Sequence, residues 1–129
     1  MPDQRLTFVA LSVSDLEMSV NFYREFLGLP LHDASHDEDL NDPWYGGAHV
    51  AYSWTDGAFL HFAIYPARAP QRPVSTGAQI GFHVGDFDTV HARLLQAGVQ
   101  LVQATRDEPW GKTARFLDPD GNIVSITAA

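Results

Sequence analysis

Apolar and polar residues alternate with period two along most of this chain, and in two places the period lengthens to that of a helix. In residues 7–13, TFVALSV, Val9, Leu11 and Val13 fall on one face and Phe8, Ala10 and Ser12 on the other, which predicts a half-buried strand. Ser14-Asp15-Leu16-Glu17 then fits a capping box, with Ser14 as the cap and Glu17 reaching back. Leu16, Val20, Tyr23 and Leu27 continue at helical spacing, and Gly28 is the stop. Residues 29–32 read as a short second strand. Residues 48–54 and 59–65 flank Thr55-Asp56-Gly57 as a hairpin; Leu60, Phe62 and Ile64 share one face, and Phe59, His61, Ala63 and Tyr65 the other.

After residues 66–76, PARAPQRPVST, which hold three prolines and read as a linker, the pattern starts again. Ile80, Phe82 and Val84 alternate with Gln79, Gly81 and His83. Gly85-Asp86 opens a helix through about Gln96, with Phe87, Val90 and Leu94 on its inner stripe and Gly98 as its stop. Residues 99–103 form the next strand. The last hairpin joins residues 112–117 to 122–127 through Asp118-Pro119-Asp120-Gly121-Asn122, where Pro119 presets φ and Gly121 tolerates a positive one. Val13-Ser14-Asp15-Leu16 therefore matches Val84-Gly85-Asp86-Phe87 at an offset of 71, and Asp56-Gly57 matches Asp120-Gly121 at 64. The chain is an internal repeat. It predicts an α+β fold of two tandem βαβββ modules forming a curved mixed sheet around a cleft. The single domain divides into module one (1–66), linker (67–76) and module two (77–129). Because helix stripe and strand face are both apolar, each module's helix is expected to cover its own sheet. The opposite, more polar faces are left to line a ligand site.

Composition narrows the function. A formal net charge of −8 disfavours nucleic acid, which is bound by Lys and Arg on phosphates. The absence of cysteine excludes disulfides and thiolate metal sites. No run approaches the ~20 apolar residues of a membrane helix and the first residues carry no apolar leader, so a cytoplasmic protein is expected, without membrane or nucleic-acid partners. Residues 33–47, DASHDEDLNDPWYGG, carry five acidic residues and then Pro43-Trp44-Tyr45. They read equally as a loop that folds over a pocket and as a solvated connection. His32, His36, His49 and His91 show no ligand-like pairing, and there is no Gly-rich phosphate loop or nucleophilic triad.

The segment VSDLEMSVNFYREFLGL, the PWGK approach and the ending FLDPDGNIVSI resemble the vicinal-oxygen-chelate superfamily, which includes glyoxalase I, bleomycin-resistance proteins, fosfomycin-resistance enzymes and extradiol dioxygenases. One fold carries many chemistries, so the resemblance speaks for fold more than for reaction. It implies metal ligands at four inward strand positions, which here fall on Phe8, His61, Gln79 and Ser125, where the metal enzymes usually show Glu at the last. Phe8 offers no lone pair, Ser125 is a poor ligand, Gln79 is a weak oxygen donor, and no carboxylate remains to offset a dication. No cofactor is expected, and a divalent metal is disfavoured. What remains is a cleft lined by Phe8, Phe59, His61, Tyr65, Gln79, His83, Ser125 and Thr127, with Trp110 and Arg115 near its rim. Rings with a few polar groups suit an aromatic or cationic organic ligand. The alternative is a metal-dependent or His-dependent lyase, isomerase or dioxygenase of the glyoxalase type, with His61 as the candidate catalytic residue. The resemblance also implies a homodimer.

Overall fold

The structure, a computed structural model, describes residues 4–36, 47–68 and 70–129. In chain order it runs β1 (Phe8–Val13), α1 (Leu16–Val20) continued by a π-helical segment (Asn21–Phe26), β2 (His32–His36), β3 (Gly47–Trp54), β4 (Leu60–Pro66), β5 (Gln79–Val84), α2 (Phe87–Gln96), β6 (Leu101–Glu108), β7 (Gly111–Leu117) and β8 (Ile123–Ala128). The strands make two four-stranded sheets of the same topology, β1-β4-β3-β2 and β5-β8-β7-β6. In each the first strand lies parallel to the last of its module and the other pairings are antiparallel. The α+β architecture of two tandem βαβββ modules is therefore present. The acidic segment's closure over a pocket concerns residues 37–46, which lie outside the described residues.

The described residues cluster into two compact units, one within Met1–Glu17 and Pro30–Val74, the other Met18–Leu29 with Ser75–Ala129. In the first unit, Leu11, Val13, Val50, Phe62 and Ile64 are buried on one face, as the alternation requires. Ala51, Ala63 and Tyr65 form a buried cluster on the other. This sheet is apolar at its centre on both sides.

The second unit departs from the expectation that each helix covers its own module. The first helix packs with the second module's elements. Tyr23, fully buried, donates its hydroxyl to Asp118 Oδ2 at 2.6 Å and meets the Phe82 ring edge-on at 6.5 Å. Arg93 on α2 donates Nε to the Phe26 carbonyl at 2.7 Å, satisfying one of the open carbonyls at the end of the first helix. The reason is polar as much as apolar: a buried phenol needs an acceptor, and Asp118 provides a charged one. Helix α2 starts as read from the sequence, with the Asp86 carboxylate accepting from the backbone N–H and hydroxyl of Thr89. Those bonds hold the Asp86 carboxyl below its ordinary range. Phe87, Val90 and Leu94 are buried against the β8–β7 side of the sheet with Val124, Ile126, Ala114 and Phe116.

Candidate functional site

The terminal turn fixes the second sheet. Asp118 Oδ1 accepts from the backbone N–H groups of Asp120 and Asn122 at 2.9 and 2.8 Å. Its Oδ2 accepts from Tyr23 and from Asn122 Nδ2 at 2.9 Å. Asn122, with no exposed surface, also donates to the Ser75 carbonyl at 3.0 Å and accepts from Ala78 N–H at 2.9 Å. One turn thus ties the start of β5 to β8 and the first helix to both. Burial above all, then the hydrogen bond to Asp118 and the charges of Asp118 and Asp120, push the Tyr23 hydroxyl far above its ordinary pKa, so it remains a proton donor.

On the face away from α2 the register sets residues in rows across the four strands, with Thr113 and Thr127 buried and Gln79 and His83 exposed. Gly81, Ser125, Arg115 and Gln103 form one row, and His83, Thr127, Thr113 and Arg106 the next. Thr113 and Thr127 share a hydrogen bond of 3.0 Å between their hydroxyls. A Cβ at Gly81 would stand 2.8 Å from Ser125 Oγ, so a larger residue there would require the Ser125 hydroxyl to turn away. The offset of 64 gives Ser125 as the repeat mate of His61; in the sheet Ser125 neighbours Gly81, and Gln79 neighbours Ile123.

Of the residues named from the sequence, Gln79, Trp110 and Arg115 come together. They line an open recess of about 560 Å³ with Gln103, Arg106 and Glu108, and Val102 adds apolar wall. That volume lies within the ~300–1,000 Å³ typical of organic-ligand sites. Trp110 stands 60% exposed at the β6–β7 turn. Arg115 donates Nη1 to Gln103 Oε1, and Arg106 pairs with Glu108 at 3.1 Å. Sequence reading missed Gln103, Arg106 and Glu108. Register shifts between Leu101 and Gln103 and between Gln103 and Arg106 break the alternation that would have placed them. A second recess of about 470 Å³, beside the first helix at Met18, Phe22, Phe26, Gly98 and Pro119, gathers none of the residues selected from sequence.

In the first unit, Phe8, His61 and Ser53 form a row across β1, β4 and β3. The Phe8 and His61 rings stack with centroids 5.6 Å apart and planes 12° from parallel. His61 Nδ1 lies 2.6 Å from Ser53 Oγ, leaving Nε2 as its other ring nitrogen. Phe59 is exposed just before β4, and His83 is exposed on β5 in the other unit. Tyr65 is buried: the His49 ring stacks on it at 4.3 Å, and the Arg72 guanidinium lies 4.9 Å from its ring centre. Burial, and the neighbouring charge of Arg68, pull the Arg72 pKa down. Tyr65 is thus a packing residue of its unit rather than part of an open wall. Among the described residues no three His, Asp or Glu side chains are grouped as a metal would require.

Residues 5–126 match the sequence profile of the Glyoxalase/Bleomycin resistance protein/Dioxygenase superfamily. A curated relative, "Glutathione transferase FosA" of Serratia marcescens, is 33% identical over 125 residues, which are 95% of this chain and 79% of that protein. "Metallothiol transferase FosB" of Shouchella clausii is 24% identical over 94% of this chain and 77% of its own length. Among solved structures, TnmS3, described as an antibiotic binding protein from Streptomyces sp. CB03234, superposes with a TM-score of 0.70 at 26% identity, covering 99% of this chain and 98% of its own. With the repeated βαβββ topology already in place, the chain belongs to the glyoxalase/bleomycin resistance protein/dioxygenase superfamily.

Proposed function

We propose that this chain is a small-molecule-binding protein that holds a planar organic ligand against the open face of its second sheet, without the divalent metal of its family's enzymes. The observation that carries the reading is the recess in which Gln79, Gln103, Trp110 and Arg115 converge: one exposed indole, two amides and a guanidinium on one sheet. An apolar wall with few, well-placed polar groups is how organic ligands are held. The similarity to an antibiotic binding protein supports it.

The donor set supports the metal-free part. The positions that the family resemblance gives to ligands carry Phe8 and His61 in one unit and Gln79 and Ser125 in the other. A catalytic dication needs about three good protein ligands and charge to balance it. A phenyl ring, one imidazole, an amide and a neutral hydroxyl do not fit that requirement. A homodimer and a cytoplasmic location belong to the same proposal.

One observation favours a second reading, catalysis at His61. Its Nδ1 is held by Ser53, and among the described residues its Nε2 has no hydrogen-bond partner, which is the arrangement of a base or a ligand. The relationship to a protein named as a glutathione transferase points the same way. Elemental analysis of untagged protein and of His61→Ala separates the two. Below about a tenth of an equivalent of metal, the level of adventitious binding, unchanged in the variant, supports the binding protein. Near-stoichiometric zinc, nickel, iron or manganese that is lost in His61→Ala overturns it.

A further inference from the structure

We infer that the recess on the second sheet selects an organic anion: a flat ring against Trp110 with a carboxylate or similar oxyanion on Arg115. This rests on the small-molecule reading above and adds the charge of the ligand. The chain is acidic overall, with 16 Asp and Glu against 8 Lys and Arg, so a cation in it would be expected to find a carboxylate. In the second unit most do. Arg24 pairs with Glu25 at 3.3 Å, Lys112 with Asp88 at 3.1 Å and Arg106 with Glu108 at 3.1 Å, while Arg93 closes the end of the first helix.

Arg115 does not. It stands half-buried in the middle of β7, between the buried residues Ala114 and Phe116, and its partner among the described residues is the neutral Gln103. With Arg106 neutralised by Glu108, the guanidinium of Arg115 leaves the recess with one net positive charge. The planar fork of an arginine presents paired N–H groups that match two oxygens of one oxyanion, a geometry a lysine lacks.

Gln103 completes the site for an anion rather than a cation. A guanidinium can only donate, so Gln103 must turn Oε1 to it, which leaves the amide NH₂ as donor. Among the described residues that NH₂ has no partner. The contact with Arg115 therefore engages one lone pair of Gln103 Oε1 and keeps its NH₂ donors, adding to the remaining N–H groups of Arg115 on the same row of the sheet. A cationic ligand would meet the like charge of Arg115, with the Glu108 carboxylate already engaged by Arg106. An anionic one meets complementary groups, with Trp110 and Val102 for its ring.

The test compares three probes of one shape, naphthoate, naphthamide and naphthylmethylammonium, by isothermal titration calorimetry of the whole protein. Naphthoate is expected to bind about tenfold or more tightly than the amide, with no measurable binding of the cation. Arg115→Gln should erase that preference and Arg115→Lys restore part of it, and added salt should weaken naphthoate alone. Trp110→Ala should weaken naphthoate and naphthamide alike. If naphthamide or the cation binds as well as naphthoate, and Trp110→Ala weakens it, the recess is the site but the charge inference is overturned. The same holds if Arg115→Gln keeps the preference. If no probe binds at millimolar concentration, the recess reading falls and this inference with it.

Discussion

Tyr23→Phe removes one oxygen from a buried polar contact of the second unit. The phenol donates to Asp118 Oδ2 at 2.6 Å, and neither side chain is more than 6% exposed. A hydrogen bond to a charged group is worth ~1.5–3 kcal/mol. Asp118 keeps three other donors, from Asp120 N–H, Asn122 N–H and Asn122 Nδ2, so the carboxylate is not orphaned and the loss should be near the middle of that range. About 2 kcal/mol corresponds to a fall in Tm of roughly 8 °C for a chain of this length. The pH dependence makes the test sharper. The folded state raises the pKa of Tyr23 above its unfolded value of about 10. The stabilisation is therefore fully present below pH ~10 and is lost as the unfolded chain begins to release the proton above it, at about 1.4 kcal/mol per pH unit. Urea denaturation followed by far-UV circular dichroism should show the variant about 2 kcal/mol weaker at pH ~8, and the gap narrowed by about 1.4 kcal/mol at pH ~11. A variant within ~0.5 kcal/mol of the parent at pH ~8, the usual spread of inconsequential changes, would refute the reasoning. So would a gap that stays constant with pH.

Other substitutions probe the same frame. Asn122→Ala deletes two donor bonds and one acceptor bond of a fully buried side chain and leaves Ala78 N–H without that partner, so a loss of about 3 kcal/mol or more in chemical denaturation is expected. Gly28→Ala should cost about 1–2 kcal/mol, because Gly28 sits at φ +86° and a Cβ there would stand 2.9 Å from Arg93 Nη2. Arg93→Met frees the Phe26 carbonyl and should cost about 1 kcal/mol. Because both changes act at the Arg93 side chain, their effects in a double-mutant cycle should not add.

Much of this frame can be read from the sequence where local signals agree. β5 runs Gln79–Val84 as its alternation predicts, and α2 ends at Gln96 as its stripe predicts. Where pairing rather than pattern decides, the boundaries move. β2 spans His32–His36 instead of residues 29–32, because HDASH has no alternation to read and is strand through its ladder with β3. β6 continues from the expected end at Gln103 to Glu108 for the same reason, along an exposed edge with two register shifts. The destination of the first helix could not be read from an apolar stripe at all. Tyr23 fits either sheet by hydrophobicity, and the choice lies in an acceptor 95 residues away. Gln79, Trp110 and Arg115, which line one recess, could be singled out from the sequence because they punctuate patterned strands. Gln103 was not, since a bulge hides which face it takes.

The central claim is that a planar ligand sits on the open face of the second sheet, and chemical-shift mapping tests it directly. Titrating naphthoate into uniformly ¹⁵N-labelled protein should move the Trp110 indole N–H, the side-chain amides of Gln79 and Gln103 and the backbone amides of β7 around Arg115, in one saturable process. Shifts confined to Met18, Phe26 and Gly98, or no saturable shift at the Trp110 indole, would contradict it.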